Sequence, residues 1–461
     1  MKHHNKSQIS KITTIFDITS APFNKSRSVE SKKKQMKLNI HTIIIAAIAF
    51  LGMSGIAKAQ QKELLSFDEY LSMVGKKNLT YAAQKYNVSM AEASIQTANM
   101  FPDPQLDMEG SNNGVSKNMG YTYGGSLGWT LELGGKRRAR VDLARNQSEL
   151  SRILLLDFFR NLRADASLGY VEALKSKALL DVQQDSYKNM LQLSKSDSIR
   201  YRLGTISLVT SKQSKLEAAS LLNSVYQAES AEQQAITALS VFLSDNKLTG
   251  RDVDGDFNAF NRDFGIEDLL TQALNERADL LAAKQNTQVA KSQINLERAN
   301  RKIDLGLTAG VSHNTTATNE IAPSPAVNAV NAVKLGVSIP LKFSNNRNAG
   351  LKIAEMAHSQ SQLEYQQVEQ SIRAEVMQAY QQYIATQKQV KQFHNGMLTE
   401  AKNILDGIIY SYKRGESSIL EVLNAQRTYN DVRKDYYQAL ADNATALIDL
   451  ERKTGIWDIS F

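Results

Sequence analysis

Long stretches without proline constrain the fold of this chain more than any other feature of its 461 residues. Proline interrupts a helix because it lacks a backbone donor and its ring clashes with the preceding turn. Beyond residue 22, the prolines are Pro102, Pro104, Pro323, Pro325 and Pro340. Residues 105–322 and 341–461 are therefore free to form long helices.

Both stretches carry a ladder of mainly apolar or small side chains at alternating steps of four and three residues, the spacing of a coiled-coil seam. The first ladder comprises Leu155, Phe159, Leu162, Ala166, Gly169, Ala173, Ser176, Leu180, Gln183, Tyr187 and Met190. The second comprises Val376, Tyr380, Tyr383, Gln387, Val390, His394, Met397, Ala401, Ile404 and Ile408. A helix over 137–198 would be roughly 90 Å long, which suits a tube or a coiled coil better than a compact core.

The chain repeats itself at an offset of 211 residues. Residues 201–208, YRLGTISL, match residues 412–419, YKRGESSI, and each segment has a glycine where a helix is expected to end. A second helix follows each turn. The sequence thus predicts a first repeat over 60–244, a linker or equatorial segment over 245–265 and a second repeat over 266–461. Long helices are expected over about 137–244 and about 348–453.

Ahead of each long helical hairpin, apolar and polar residues alternate with the period of a β-strand. The alternation predicts strands over about 104–113 and 119–133, and again over about 303–312 and 331–341. Tyr121, Tyr123 and Trp129 fit either an aromatic girdle at a membrane surface or plain strand packing. A single helix is predicted before each strand pair, over 66–100 and 266–301. Each unit is therefore helix, strand, strand and long helical hairpin.

The four predicted strands are long enough to cross a bilayer when tilted. They cannot close a barrel alone, and an open sheet edge is not tolerated in lipid. The smallest bacterial barrels have about eight strands. The sequence therefore predicts a mostly helical protein in which several subunits share one membrane β-barrel.

The net charge of +8 does not indicate nucleic-acid binding, because it resides in the N-terminal segment. Residues 1–59 hold ten Lys or Arg and two Asp or Glu, which leaves 45 residues of each sign in the rest of the chain. Basic residues, the apolar stretch 43–56 and the sequence Ala57-Lys58-Ala59 predict a cleavable export signal. Cysteine is absent, so disulfides and an acylated N-terminal cysteine are excluded.

Three segments carry a family resemblance: LELGGKRRARVDLA at 131–144, YRLGTIS at 201–207 and YKRGESSILEVLNAQRTY at 412–429. Together with the duplicated unit, they resemble a TolC-type outer membrane factor, and LELGGKR is similar to its heavy-metal (cobalt-zinc-cadmium/copper) efflux branch. The resemblance implies a homotrimer whose twelve strands form an open barrel and whose twelve helices continue it as a periplasmic tunnel. It also implies docking of the hairpin tips to a periplasmic adaptor and an inner-membrane resistance-nodulation-division pump.

The same resemblance implies where the working residues lie. It places a periplasmic gate at Tyr412, Glu421, Asn424, Thr210 and Ser417, and adaptor contacts at Leu203, Gly204, Thr205, Arg414, Gly415 and Glu416. Ser417 and Thr210 stand where the family has an arginine and its acidic partner. That ionic lock is therefore absent, and closure must either use other contacts, with Arg414, Glu416 and Arg202 as candidates, or be looser.

A narrow mouth lined by three copies of Glu421 would concentrate cations. The alternative is that Glu421 is an ordinary exposed helix residue. No catalytic triad, carboxylate pair or cluster of metal ligands stands out, so the sequence predicts no enzyme, no cofactor and no metal site.

The predicted function is a passive efflux duct in the outer membrane, driven by partner proteins. Two alternatives stay open at this point. One is a type I protein-secretion duct of the same architecture, and the other is a coiled-coil surface protein that forms no channel.

Overall fold

The computed structural model describes residues 64–114, 120–244, 252–316, 328–341 and 348–457. The predicted export signal lies outside these ranges, and so do residues 245–251 of the predicted linker. Within the described ranges, no helix is both long enough and apolar enough to cross a membrane.

The two halves of the described chain have the same order of elements, except that the first long helix of the second half is interrupted. The first half consists of β1 (Leu64–Leu65), α1 (Phe67–Lys77), α2 (Leu79–Ala98), β2 (Gln105–Asn112), β3 (Tyr121–Leu131), α3 (Lys136–Arg202) and α4 (Leu208–Leu243). The second consists of β4 (Asp252–Val253), α5 (Ile266–Glu276), α6 (Ala278–Asn300), β5 (Leu305–Asn314), β6 (Val330–Ser338), α7 (Ala349–Gln392), α8 (Leu398–Arg414) and α9 (Ile419–Thr454). The bounds of the four long strands differ from the predicted spans by at most three residues.

The single helices predicted over 66–100 and 266–301 are wrong, because each is two helices that meet at one extended residue. That residue is Asn78 in the first half, with ψ 116°, and Arg277 in the second, with ψ 123°. The Asn78 side chain accepts a hydrogen bond from the Tyr81 amide at 2.7 Å and donates one to the Phe242 carbonyl at 2.9 Å. A contact with a distant helix therefore fixes the break, and local periodicity does not reveal it.

The long helix of the second half is interrupted, whereas α3 is continuous for 67 residues, or about 100 Å. A π-helical turn over Phe393–Met397 separates α7 from α8, and Gly396 in it has φ 114°, a region that favours glycine. Beyond the turn, Ala401 on the predicted ladder is still buried. The next ladder residue, Ile404, is 55% exposed, and its neighbour Leu405 is buried instead. The prediction of one unbroken helix with one continuous ladder is therefore wrong here.

Strands β2, β3, β5 and β6 form one antiparallel sheet in that order, with β2 and β6 at its edges. Leu106, Leu127, Ala309 and Leu335 are paired in succession and form one row across the sheet. Because successive side chains alternate between faces, this register gathers the apolar residues on one face. The opposite face carries Gly, Ser, Thr and a few charged residues.

The main core lies around the middle of the long helices, where the segment between the two halves packs against them. The hydroxyl of Tyr170 on α3 lies 2.6 Å from the Asp254 carbonyl oxygen. At the matching place on α7, the hydroxyl of Tyr383 accepts a hydrogen bond from the Arg262 amide at 2.8 Å. Phe260 between these contacts is fully buried. The predicted linker is therefore, in its described part, also a component of the core.

Candidate functional site

The two helical hairpins end in tips of nearly identical geometry. Each turn has a glycine in the left-handed region, Gly204 with φ 72° and Gly415 with φ 86°. Each second helix is capped by a serine, whose Oγ accepts a hydrogen bond from the amide three residues later. These pairs are Ser207 with Thr210 at 3.1 Å and Ser418 with Glu421 at 3.3 Å. The predicted gate residues Thr210 and Glu421 therefore occupy equivalent positions in the two tips.

Tyr412 is the predicted gate residue that the fold buries, with 4% of its surface exposed. Its hydroxyl donates a hydrogen bond to Oδ1 of Asp197 on α3 at 2.9 Å. The guanidinium of Arg200 lies 5.0 Å from the centre of the Tyr412 ring, and its Nη1 donates to the Tyr412 carbonyl at 3.4 Å. Burial raises the pKa of Tyr412, and the hydrogen bond to Asp197 raises it further, so the phenol remains a donor at neutral pH. This contact joins α8 of the second hairpin to α3 of the first.

Sequence reasoning missed Asp197, which is fully buried beside Tyr412. Its Oδ2 has no hydrogen-bond partner among the described residues, and Oδ1 lies 3.9 Å from Nη1 of Arg200. The sequence did contain a signal for it. If the first ladder is continued beyond Met190 by steps of four and three, it reaches Ser194 and Asp197. Both are buried as that extension requires.

The other predicted gate residues are not brought into contact with Tyr412. Glu421 and Asn424 are exposed on α9, whereas the neighbouring Val422 and Ala425 are buried. Residues three apart on a helix share a face, so the Glu421 carboxylate and the Asn424 amide project to the same side. Ser417 is half-buried in the turn before them.

The six residues predicted to contact an adaptor are all exposed at the tips, and Leu203 has 72% of its surface exposed. Arg414 and Glu416 pair with each other, with Nε 3.0 Å from the Glu416 carboxylate. Arg414 also donates to the Tyr410 hydroxyl at 3.1 Å. In the described protomer these two charges satisfy each other within one tip and do not link the two tips.

The apolar face of the sheet is exposed along its whole width. Among its exposed large apolar side chains, the exposed fraction ranges from 36% for Leu307 to 83% for Leu335. Tyr121 and Trp129 stand near the two ends of β3, about 27 Å apart along the strand, which is close to the apolar thickness of a membrane. The Tyr121 and Tyr123 rings stack with their centroids 6.2 Å apart, and Trp129 Nε1 donates to the Pro102 carbonyl at 3.2 Å.

Among the described residues, no group of three or more His, Cys, Asp or Glu side chains could hold a metal ion. The described residues therefore present two features: a sheet with an exposed apolar face, and two tips at the turns of the long helical hairpins.

Known proteins share this combination of an apolar-faced sheet and long helical hairpins. The chain is 22% identical to the cobalt-zinc-cadmium resistance protein CzcC of Cupriavidus metallidurans over 391 residues, 85% of this chain and 90% of the relative. It is 23% identical to the outer membrane protein TolC of Vibrio cholerae over 321 residues, 69% of this chain and 70% of the relative. A crystal structure of CusC, from a study of transmembrane channel formation, has the same fold. That likeness has a TM-score of 0.68 at 19% identity, and covers 84% of this chain and 91% of that one.

The resemblance inferred from the sequence motifs is confirmed by these relatives, including the likeness to a heavy-metal efflux protein. The sequence pattern of the outer membrane efflux protein family matches residues 72–244 and 269–455, which are the two halves described above. The chain belongs to the outer membrane efflux protein family.

Proposed function

We propose that three copies of this chain assemble into one duct through the outer membrane. The observation that carries the proposal is the four-stranded sheet, which has an exposed apolar face, a polar face and two edges. The edge strands β2 and β6 run antiparallel, so β6 of one copy can pair with β2 of the next in the same antiparallel sense. Two copies would give a barrel of eight strands, and in a barrel of that size side chains fill the interior. Three copies give twelve strands and leave an open lumen.

The long helices would continue this barrel as a periplasmic tunnel. Each copy supplies α3, α4, the interrupted α7–α8 and α9, so three copies supply twelve long helices. Glu421 and Asn424 would face the tunnel axis at its periplasmic mouth, since they share the exposed face of α9. Together with Thr210, Ser417 and Tyr412, they would form the gate. The Tyr412–Asp197 hydrogen bond replaces the absent ionic lock as the closing contact between the two hairpins of each copy.

The exposed tips would receive a periplasmic adaptor, which connects the duct to an inner-membrane resistance-nodulation-division pump. Leu203 offers an apolar contact, while Gly204 and Gly415 leave backbone groups accessible between the side chains. The local Arg414–Glu416 pair would provide polar specificity at the rim. The duct itself would be passive, because the pump supplies the energy.

The substrates that we propose are heavy-metal cations. The relative CzcC is a cobalt-zinc-cadmium resistance protein. Three copies of Glu421 around the mouth would attract cations and repel anions, which suits such a cargo. A duct with scattered charges also releases ions readily, since strong ligand sets would retain them. Export by the signal ahead of residue 60, without lipidation, is part of the same proposal.

Reconstitution in planar lipid bilayers tests this function directly. The purified chain is expected to give discrete single-channel currents, and Glu421→Gln is expected to weaken block by multivalent cations added on the periplasmic side. Glu421→Asp is the matched control, because it alters the same side chain without removing its charge. A protein that never conducts would favour the coiled-coil surface protein instead.

A further inference from the structure

The polar face of the sheet is concave. A Cβ atom added to Gly310 would lie 2.7 Å from Cβ of Ser126, its partner on the next strand. Facing Cβ atoms in a sheet are usually about 4.5–5.5 Å apart, so side chains on this face converge. On the apolar face, a Cβ added to Gly125 meets nothing nearer than the Asp107 carbonyl oxygen at 3.7 Å. The sheet is therefore rolled with its polar face inside.

Three charged side chains project from this concave face: Asp107 and Glu109 on β2 and Lys334 on β6. Within the described bounds of the four strands, no other Asp, Glu, Lys or Arg residue occurs. The Lys334 ammonium reaches Oε1 of Glu109 at 2.6 Å, from one edge strand to the other. Gly124 makes room for this crossing, since a Cβ there would lie 3.3 Å from Oε1 of Glu109.

Asp107 lies beside this pair and has no ammonium partner among the described residues. Its Oδ1 accepts a hydrogen bond from Gln105 Nε2 at 3.0 Å. Asp107 and Lys334 belong to one row across the sheet, through Ser126 and Gly310. The Lys334 ammonium thus pairs with the Glu109 carboxylate and leaves that of Asp107 without a positive partner among the described residues. One negative charge per protomer is left over.

The ion pair is loose enough for passing ions to compete with it. The side chains of Glu109 and Lys334 are 62% and 55% exposed, and exposed ion pairs are weak and screened by salt. What a permeating ion encounters is therefore the net charge of the group.

We propose that Asp107, Glu109 and Lys334 form a cation-selecting ring inside the barrel, separate from the acidic ring at the periplasmic mouth. This inference rests on the proposed trimeric duct. Two carboxylates and one ammonium in each copy leave a net charge of −3 in three copies. A ring of charge in a confined lumen raises the local concentration of the opposite ion. The ligands it attracts are inorganic cations, divalent metal ions above all.

The test is the permeability ratio of potassium to chloride, from reversal potentials across bilayers with a potassium chloride gradient. All variants are made in a Glu421→Gln background, so that the mouth does not mask the barrel. Asp107→Asn and Glu109→Gln each remove the net charge of the group, whereas Lys334→Gln doubles it. We expect the first two to lower the ratio by roughly sevenfold and Lys334→Gln to raise it by about as much, because a change of about one kT in local potential changes the concentrations of potassium and chloride by about threefold each, in opposite directions.

Salt provides an internal check, because the Debye length is about 10 Å at 0.1 M and about 3 Å at 1 M. The differences among the variants should shrink at the higher concentration. Ratios that stay equal in conducting variants, or that shift the same way in Asp107→Asn and Lys334→Gln, would overturn the barrel ring and leave the duct intact. Absence of any conductance in the Glu421→Gln parent and in the unaltered chain would overturn both.

Discussion

The hydroxyl of Tyr412 donates a hydrogen bond to the buried carboxylate of Asp197 at 2.9 Å and so ties the second hairpin to the first. Tyr201, at the equivalent place in the first tip, is 42% exposed. The two repeats thus share the backbone conformation of the turn, but the tyrosine before the turn is buried in the second repeat and exposed in the first. This asymmetry supports our proposal that the closing contact belongs to the second hairpin.

Removing the Tyr412 hydroxyl should loosen the tips. Tyr412→Phe leaves the Asp197 carboxylate buried without its donor, which costs about 1–3 kcal/mol. We expect a lower unfolding temperature and a larger current through the resting channel. Tyr201→Phe is the matched control and should change stability by less than about 0.5 kcal/mol. Equal effects of the two substitutions would remove Tyr412 from the gate.

Acid should weaken the structure through Arg277, which is 4% exposed and bonds Asp279, Glu375 and the Lys453 carbonyl. Burial alone would raise the pKa of Asp279 and of Glu375, but hydrogen bonds and the charge of Arg277 outweigh it, and both pKa values are lowered. A lowered folded-state pKa stabilises the fold above the unfolded value near 4, and this contribution is lost as pH falls through the folded value.

Unfolding temperatures measured from about pH 7 to pH 3 check this linkage. Arg277→Gln should lower stability by about 1–3 kcal/mol at neutral pH, because Asp279 and Glu375, whose side chains are 30% and 35% exposed, lose a close charged partner. It should also flatten the decline toward acid. Arg298→Gln is the control, since Arg298 is 60% exposed and lies 3.8 Å from Glu355. Its effect should stay below about 1 kcal/mol. An unchanged pH profile in Arg277→Gln would contradict the assignment.

The break between α7 and α8 should depend on Gly396. Gly396→Ala forces a side chain into φ 114° and is expected to destabilise the chain by about 1–2 kcal/mol. Gly407→Ala is the control within α8, where an added Cβ meets no heavy atom within 4 Å. That change should stabilise by about 0.5–1 kcal/mol. Thermal unfolding monitored by circular dichroism gives both signs, and shifts in the same direction would rule out a conformational need for glycine.

The outward face of the sheet should reject charge. Leu335→Lys places an ammonium on the apolar face of β6 and is expected to cost about 2–4 kcal/mol near the middle of the membrane. Ala332→Lys puts the same charge on the polar face of the same strand and should be tolerated. The yield of assembled protein in lipid vesicles measures the difference. Equal yields would mean that lipid does not contact this face.

Sequence periodicity was sufficient to predict the strands. A two-residue period with apolar residues on one face leaves few alternative secondary structures for segments such as Tyr121–Leu131. Periodicity was also sufficient for α3, whose ladder runs unbroken through the buried Leu162 and Met190. The equivalent serine caps at Ser207 and Ser418 follow from the repeated turn.

Helix breaks that depend on tertiary contacts could not be predicted from sequence periodicity. Asn78 ends one helix and begins the next through a contact with Phe242, 164 positions away. Gly396 adds a π-turn, and nothing in the local pattern tells a glycine that kinks a helix from one, like Gly407, that does not. Asp197 was missed because an aspartate is usually a solvated helix residue, although its position on the ladder marked it as buried.

The mass of the detergent-solubilised complex tests the central claim most directly, namely that the four-stranded sheet is one third of a shared barrel. Native mass spectrometry is expected to find three chains in one particle, and that particle should conduct when transferred to a bilayer. A folded single chain that stays monomeric in detergent-free buffer, with Leu106 and Leu335 still exposed, would contradict the account.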